Sequence, residues 1–196
     1  MKKICLLLPH GFEAVEASVF TDVMGWNQEE GDGTTELITV GIRSQVKCTW
    51  NFTVLPEKQL SEVTVNEFDA LALPGGFESA GFYEDAYHED VLAFIKEFDR
   101  QGKWIASVCV GALPIGKSGV LAGRYATTYN LNGRVRQQTL AEMGAHVIPD
   151  KPIVVDRNII TSYNPSTGFD VAFTLLEKLT TPENAHHVKT LMGFAQ

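Results

Sequence analysis

The chain has few of the residues that mark secreted, membrane-spanning or nucleic-acid-binding proteins. It contains 3 cysteines, with no CxxC pair, which fits reduced thiols in the cytoplasm better than a disulfide framework or a zinc site. Its 16 Lys and Arg residues are outnumbered by 24 Asp and Glu residues, giving a net charge of -8 and no basic run. This balance argues against nucleic acid and anionic membranes as partners. No apolar run is long enough to cross a bilayer or to form a signal peptide.

Strand-like and helix-like segments alternate along the chain without repeats, low-complexity stretches or a linker. The length and the 44% hydrophobic content predict one globular domain over residues 1–196. Alternation of this kind predicts a mainly parallel sheet with helices on both faces. The predicted strands are 3–8, 36–40, 69–73, 104–108, 125–128 and 159–163, with extended pieces at 46–54, 146–149 and 153–156. The predicted helices are 13–29, 86–101, 135–143, 167–178 and 182–192.

The segment 103–116, KWIASVCVGALPIG, organises the rest of the chain. Its apolar run stops at Cys109 and continues into Val110, Gly111 and Ala112, which predicts a sharp corner from a strand into a helix. Backbone N–H groups and the positive helix end at such a corner favour an anion, so we expect a thiolate at lower pH than in a free cysteine. The alternative is an inert buried cysteine, because free cysteine often serves only in packing.

Several unusual residues directly follow predicted strands. In open parallel sheets, ligands bind beyond the carboxyl ends of the strands. His10 and the following residues to Glu16 come after the first strand, Gly75 and Gly76 after the strand 69–73, Cys109 after 104–108, and Tyr129 after 125–128. We therefore expect these four loops to line one crevice, with the backbone N–H groups of Gly76 and Val110 placed to hold an oxyanion beside the Cys109 sulfur.

Five segments in this order resemble the ThiJ/PfpI family of the class I glutamine-amidotransferase-like superfamily. The resemblance covers nearly the whole chain and rests on GFEAVE at 11–16, LPGG at 73–76, IASVCVG at 105–111, ATT at 126–128 and TSYNP at 161–165. It implies a flavodoxin-like α/β three-layer sandwich and a homodimer. It also implies that Cys109 is the reactive cysteine of the elbow, that Glu16 is an acid hydrogen-bonded to it, and that Gly76 and Val110 are the amide donors.

Two positions depart from the pattern of active family members. Hydrolases, glyoxalases and deglycases of the family carry a histidine directly after the elbow cysteine or after the ATT-type strand, where this chain has Val110 and Tyr129. Histidine can act as base and acid near neutral pH, whereas the phenol of Tyr129, with a pKa of roughly 10, is a poor base and a good hydrogen-bond donor. The protease interpretation is weakened, and His10 is the only histidine placed to help.

Glu16 offers a partial replacement for the missing histidine. A protonated Glu16 would donate a hydrogen bond to a thiolate, whereas an ionised Glu16 would repel it and raise the pKa of the cysteine, so the two groups titrate together. A thiolate beside a carboxylic acid suits the enolisation of a small aldehyde. The same pair also suits holding a sulfinate after oxidation.

Three functions follow from this pattern. The first is a cysteine-dependent hydrolase or a glyoxalase-type or deglycase-type enzyme, acting on a small molecule or a peptide through Cys109 and Glu16. The second is a non-catalytic redox sensor or holding chaperone that uses oxidation of Cys109. The third is a module that only binds a ligand. We expect no cofactor and no metal, because the clusters at 88–90 and 186–187 have no third ligand at a suitable spacing.

Overall fold

The computed structural model describes residues 1–194 and is organised around a sheet of seven strands. The order across this sheet is β10-β11-β7-β6-β1-β2-β5, and every neighbouring pair is parallel except β10 and β11. The strands are β1 (Lys2–Leu8), β2 (Thr35–Gly41), β3 (Val46–Lys47), β4 (Thr53–Val54), β5 (Lys58–Gln59), β6 (Ala70–Leu73), β7 (Trp104–Ser107), β8 (Tyr125–Ala126), β9 (His146–Val147), β10 (Ile153–Asp156) and β11 (Ile159–Ser162).

Helices cover both faces of the sheet. One layer contains α1 (Ala14–Glu30), α6 (Gly168–Leu179) and α7 (Pro182–Leu191), which pack against one another. The other layer contains α2 (Phe82–Ala86), α3 (Glu89–Arg100), α4 (Ala112–Lys117) and α5 (Val135–Glu142). This arrangement confirms the predicted flavodoxin-like α/β sandwich. No helix within residues 1–194 is long and apolar enough to span a membrane.

The central strands are short apolar runs because both of their faces are covered. Ile4 to Leu8 of β1 and all of β6 are buried, as is typical of parallel strands between two helical layers. In the register, Leu6 pairs with Ala72, and Ala72 pairs with Ala106, so β1, β6 and β7 lie side by side with their carboxyl ends at the same edge. The loops after these three strands therefore meet, as the sequence predicted.

Some predicted elements differ from the structure. The helix predicted over 86–101 begins only at Glu89, as α3, where the ring of His88 accepts a hydrogen bond from the Asp90 N–H. The segment before it, predicted as a polar loop, contains the short helix α2. The strand predicted over 125–128 covers only Tyr125–Ala126. It pairs with β9 in a separate two-stranded sheet and does not extend the main one.

The extended segment 46–54 forms the hairpin of β3 and β4, but its apolar side chains do not share a covered face. Cys48 is buried, whereas Trp50 is 63% and Phe52 69% exposed. Each strand is two residues long, and Asn51 between them has a positive φ, so the hairpin tip extends away from the core. Trp50, Phe52 and the nearby Leu55 are large apolar side chains that are exposed, and we call these three residues the hairpin surface.

Candidate active site

Cys109 lies at a strained corner between β7 and α4. Its φ of 53° is a left-handed conformation that non-glycine residues seldom adopt, and such strain is concentrated at functional sites. The backbone passes close to the end of β6, where a Cβ on Gly111 would lie 2.7 Å from the Leu73 carbonyl oxygen. The hydroxyl of Thr128 donates to the Cys109 carbonyl at 2.8 Å. These contacts hold the corner in its unusual conformation.

Glu16 extends from the first turn of α1 into the space beside Cys109. Its side chain is fully buried, and its Oε2 accepts a hydrogen bond of 2.6 Å from the Gly75 N–H. Its other oxygen, Oε1, is also buried and receives no N–H or O–H donor from residues 1–194. The carboxyl group of Glu13 and the thiol of Cys109 both lie within hydrogen-bonding reach of the Glu16 carboxyl.

Burial keeps the Glu16 carboxyl protonated at neutral pH. Loss of solvation is the largest cause, and the negative charge of Glu13 adds to it, so the pKa of Glu16 rises to about 8 from an ordinary value of 4.5. The hydrogen bond from the Gly75 N–H lowers the pKa of Glu16, but by less than burial and Glu13 raise it. A protonated carboxyl can donate to a neighbouring acceptor, which gives the otherwise unpartnered Oε1 a hydrogen bond to make.

The pKa of the Cys109 thiol is raised, contrary to the expectation of an easily formed thiolate. Burial is the main cause, followed by the negative charge of Glu16, while the Val110 N–H directed at the sulfur lowers the pKa. α4 has only six residues and therefore contributes little of the expected helix-end field. Both groups therefore carry their protons at neutral pH, and loss of the Glu16 proton above about pH 8 makes loss of the Cys109 proton still harder, so the two titrations depend on each other.

Gly75 and Gly76 allow the backbone to come close to this pair. A Cβ on Gly75 would lie 2.8 Å from the Glu16 Oε2 and 3.0 Å from the Val110 nitrogen, and a Cβ on Gly76 would collide with the Gly11 carbonyl oxygen. The N–H of Gly76 donates to no acceptor within residues 1–194. Its neighbours Gly75 and Phe77 are held by bonds to Glu13 and Gly11. An unused N–H next to the Cys109 pocket is available to an oxyanion.

Cys109 lies at the wall of a cavity of about 460 Å³, a size typical of small-molecule sites. The predicted residues Cys109, Gly76, Val110 and Tyr129 line it, and Glu16 lies behind the Cys109 sulfur with Gly75 bonded to it. The complete lining is Glu13, Gly76, Phe77, Glu78, Tyr83, Cys109, Val110, Tyr129, Leu131, Asn132, Arg136, Asn164, Pro165 and Ser166.

Three predicted site residues do not line this cavity: Glu16 and Gly75, which are bonded to each other, and His10, which is held elsewhere. The main-chain N–H of His10 donates to the Asp85 carboxylate at 2.9 Å, and its ring accepts from the Lys47 N–H at 3.5 Å. Asp85 is itself held by Arg43, so His10 is fixed on the side of the loop that faces the β3–β4 hairpin. The structure thus places no imidazole from residues 1–194 in the lining.

The sequence analysis did not single out several residues of the lining, among them Glu13, Tyr83 and Arg136. Glu13 stands at the start of α1 and was part of the recognised GFEAVE segment, so the motif itself contained the signal. Tyr83 and Arg136 belong to α2 and α5, which reach the cavity from one helical layer and not from a strand end. No group of three His, Cys, Asp or Glu side chains within residues 1–194 could hold a metal ion.

Comparison with known proteins defines the class to which this fold and site belong. The sequence profile of the DJ-1/PfpI family matches residues 2–178, so the chain belongs to this family and the predicted resemblance is confirmed. The crystal structure of DJ-1beta from Drosophila melanogaster superposes with a TM-score of 0.87 and 25% identity, covering 100% of this chain and 99% of that one.

The individual relatives have different names and activities. DJ-1beta from Drosophila melanogaster is 28% identical over 188 residues, covering 95% of this chain and 94% of that protein. The glutathione-independent glyoxalase DJR-1.2 from Caenorhabditis elegans is 26% identical over 184 residues, covering 93% of this chain and 91% of that protein. The isonitrile hydratase from Pseudomonas putida is 32% identical over 127 residues, covering 65% of this chain and 52% of that protein.

Proposed function

We propose that this protein is a cysteine-dependent enzyme of the glyoxalase type that converts 2-oxoaldehydes into 2-hydroxy acids. The observation that carries the proposal is the buried, protonated Glu16 beside the strained Cys109 at the wall of a small-molecule cavity. A nucleophile next to an acid and base whose pKa of about 8 lies near neutral pH is suited to moving protons on a carbonyl compound. The similarity to the glyoxalase DJR-1.2 supports the same reaction class.

The proposed reaction begins in molecules whose Glu16 is ionised. Glu16 takes the thiol proton while the Cys109 sulfur adds to the aldehyde carbon, and it passes this proton to the former aldehyde oxygen, so that Glu16 is ionised again. The N–H groups of Gly76 and Val110 stabilise the negative charge that develops on this oxygen. The ionised Glu16 then removes the hydrogen of the former aldehyde carbon as a proton and returns a proton to the neighbouring carbon, while the hydroxyl proton on the former aldehyde carbon moves to the ketone oxygen, which gives a 2-hydroxyacyl thioester. Water cleaves the carbon–sulfur bond, releasing the 2-hydroxy acid and restoring the thiol. The aldehyde carbon is oxidised and the ketone carbon reduced, so no external redox partner is required.

Formation of lactate from methylglyoxal tests this proposal. We expect turnover by the parent protein, loss of turnover to background in Cys109→Ser, and a decrease of about 100-fold or more in kcat for Glu16→Gln, because a single general acid–base group contributes ~10²–10⁴-fold. The matched control is Cys48→Ser, which removes another buried thiol that does not line the cavity. The proposal fails if Cys109→Ser retains parental turnover.

A redox function of the same cysteine is the second candidate. It is favoured by the absence of an imidazole from the cavity lining within residues 1–194, which leaves Cys109 without the usual base of a cysteine hydrolase or protease. A protonated Glu16 would donate to an oxidised sulfur and stabilise a sulfinate. Stoichiometric oxidation at Cys109, together with no turnover of aldehydes or amides, would favour the sensor or holding chaperone.

We further propose that the protein is a cytoplasmic homodimer. Three free cysteines without a disulfide support the reducing compartment. The hairpin surface supports the dimer, because Trp50, Phe52 and Leu55 expose large apolar side chains within six residues of the chain. Trp50 also packs on the partly exposed Phe77, with ring centroids 5.4 Å apart. Phe77 also lines the cavity, so such a dimer interface would lie close to the site.

A further inference from the structure

Arg136 is the only cationic side chain that lines the cavity of Cys109 in the part of the chain that the structure describes. It lies in the first turn of α5, and its guanidinium is over the ring of Tyr83, 5.6 Å from the ring centroid. A guanidinium has five N–H donors in a rigid fork that matches a carboxylate. Within residues 1–194, Arg136 uses one of them, in a hydrogen bond of 3.4 Å to the Glu78 carboxylate.

The contact between Arg136 and Glu78 is easily replaced. The Glu78 side chain is largely exposed on a short turn, and the bond to Arg136 is single and long. Exposed ion pairs of this kind contribute little, because both groups are well solvated when separated. An anionic group that enters the cavity can therefore take the place of Glu78 and use the remaining donors of the guanidinium.

A second acidic residue of the lining, besides Glu78, lies beside the reacting sulfur. Glu13 lines the cavity beside the Glu16 and Cys109 pair, so an anionic group is repelled from the reacting sulfur. Phe77, Leu131 and Pro165 add apolar surface to the lining. A substrate with a carbonyl group, a short apolar body and a carboxylate would therefore bind with its carbonyl at Cys109 and its carboxylate at Arg136.

We propose that Arg136 binds a carboxylate of the substrate, so that the enzyme prefers 2-oxoaldehydes that carry a remote carboxylate over neutral ones. This inference names the substrate class of the proposed glyoxalase-type reaction and rests on that function. Arg136 is here a substrate-binding and specificity-determining residue, separate from the groups that transfer protons.

The first test compares 4,5-dioxopentanoate with its uncharged amide, 4,5-dioxopentanamide, as substrates of the full chain. We expect kcat/KM to be about tenfold or more higher for the carboxylate, because charge-assisted bidentate bonds to arginine are strong. In Arg136→Gln the ratio of the two values should fall to about one. The matched control is Arg134→Gln, which removes a neighbouring exposed arginine bonded to Asp150 outside the cavity and should keep the parental ratio. A parental ratio near one, or a ratio unaffected by Arg136→Gln, overturns the proposal.

A binding measurement separates failure of this inference from failure of the proposed function. Calorimetric titration of Cys109→Ser with 4-oxopentanoate and 4-oxopentanamide needs no turnover. Tighter binding of the carboxylate that is lost in Cys109→Ser/Arg136→Gln supports the anion site even if no oxoaldehyde is converted. Turnover of both oxoaldehydes without any carboxylate preference in binding or in kcat/KM leaves the glyoxalase-type function standing and rejects the role of Arg136.

Discussion

Glu16 shows how burial, assisted by a second acidic residue, can turn an ordinary carboxyl group into an acid that works near neutral pH. Its carboxyl has exchanged water for one backbone N–H donor, the carboxyl of Glu13 and the thiol of Cys109. Burial and the Glu13 carboxyl favour the protonated form of Glu16 more than the Gly75 N–H and the Cys109 thiol favour the ionised form, so the pKa of Glu16 is raised. The same residue on a solvated face of α1 would be ionised at neutral pH and could not donate a hydrogen bond to a sulfur.

Replacing Glu16 by glutamine should stabilise the protein increasingly as the pH rises. The folded protein keeps the Glu16 proton up to a pKa of about 8, whereas the unfolded chain loses it at the ordinary value of 4.5. The parent protein therefore loses stability between these values, by about 1.4 kcal/mol per pH unit at most, and Glu16→Gln is free of this loss. Free energies of unfolding from urea titrations at several pH values would measure the difference.

The control for this prediction is Glu142→Gln, which makes the same chemical change at an exposed acid on α5 and should not reproduce the gain in stability of Glu16→Gln. A stability difference between Glu16→Gln and the parent that does not change with pH would contradict the assignment of a raised pKa to Glu16.

The sequence located the central pair of residues but not their protonation. Cys109 and Glu16 could be predicted because each lies in a loop or first helical turn that follows a central parallel strand, and this edge is where such sheets bind ligands. The raised pKa of Cys109 could not be predicted, because it depends on how completely Cys109 and Glu16 are covered. How completely these two side chains are buried is determined by packing of the whole fold, which local sequence does not specify.

At the scale of elements, the site depends on close backbone approach between the loop after β6 and the loop after β1. A Cβ on Gly76 would collide with the Gly11 carbonyl oxygen and with the ring of Phe82. Gly76→Ala should therefore destabilise the fold by about 1–3 kcal/mol, the usual range for overpacking. It should also reduce the reactivity of Cys109, because the Gly76 N–H would move.

Gly25→Ala is the matched control for this substitution. Gly25 lies inside α1 with no atom within 4 Å of an added Cβ, so alanine there should raise stability by about 0.5–1 kcal/mol through helix propensity. Thermal and urea unfolding would measure both variants. Equal effects of the two substitutions would mean that the glycine pair does not hold the loops together.

The placement of the helices and strands also explains why some site residues could not be predicted from the sequence. His10 was expected at the cavity because it follows β1, yet its backbone bond to Asp85 directs it toward the hairpin. Tyr83 and Arg136 reach the cavity from α2 and α5. The direction of these two side chains depends on where α2 and α5 are placed in the fold. α2 itself was not predicted, because the residues before 86 were interpreted as a polar loop.

For the whole molecule, the hairpin surface is the feature that predicts assembly. Phe52→Asp should convert the proposed dimer into a monomer at micromolar concentration, because a charge at a covered apolar contact must be desolvated without a partner. Sedimentation velocity would measure this. Leu191→Asp, which places the same charge at an exposed leucine of α7, is the control and should leave the parental state unchanged. A parent protein that sediments as a monomer would contradict the prediction.

The layer architecture was the part of the molecule most directly readable from sequence. Short apolar strands such as β6, fully buried on both faces, leave a signal that does not depend on distant contacts. β5 is only two residues long at the sheet edge, and β8 pairs outside the main sheet. Neither is a fully buried apolar run, so the sequence does not indicate which strands they pair with. Their placement is determined by their neighbours in space.

Direct titration of the Glu16 carboxyl tests the central claim that Cys109 lies beside an acid that is protonated at neutral pH. The measurement is carbon-13 NMR of protein labelled at the glutamate carboxyl carbons, with Glu16→Gln used to assign the resonance. The structure predicts a midpoint at about pH 8. A midpoint near the ordinary value of 4.5 would mean that Glu16 is ionised at neutral pH and repels a thiolate, and the proposed chemistry of the pair would be wrong.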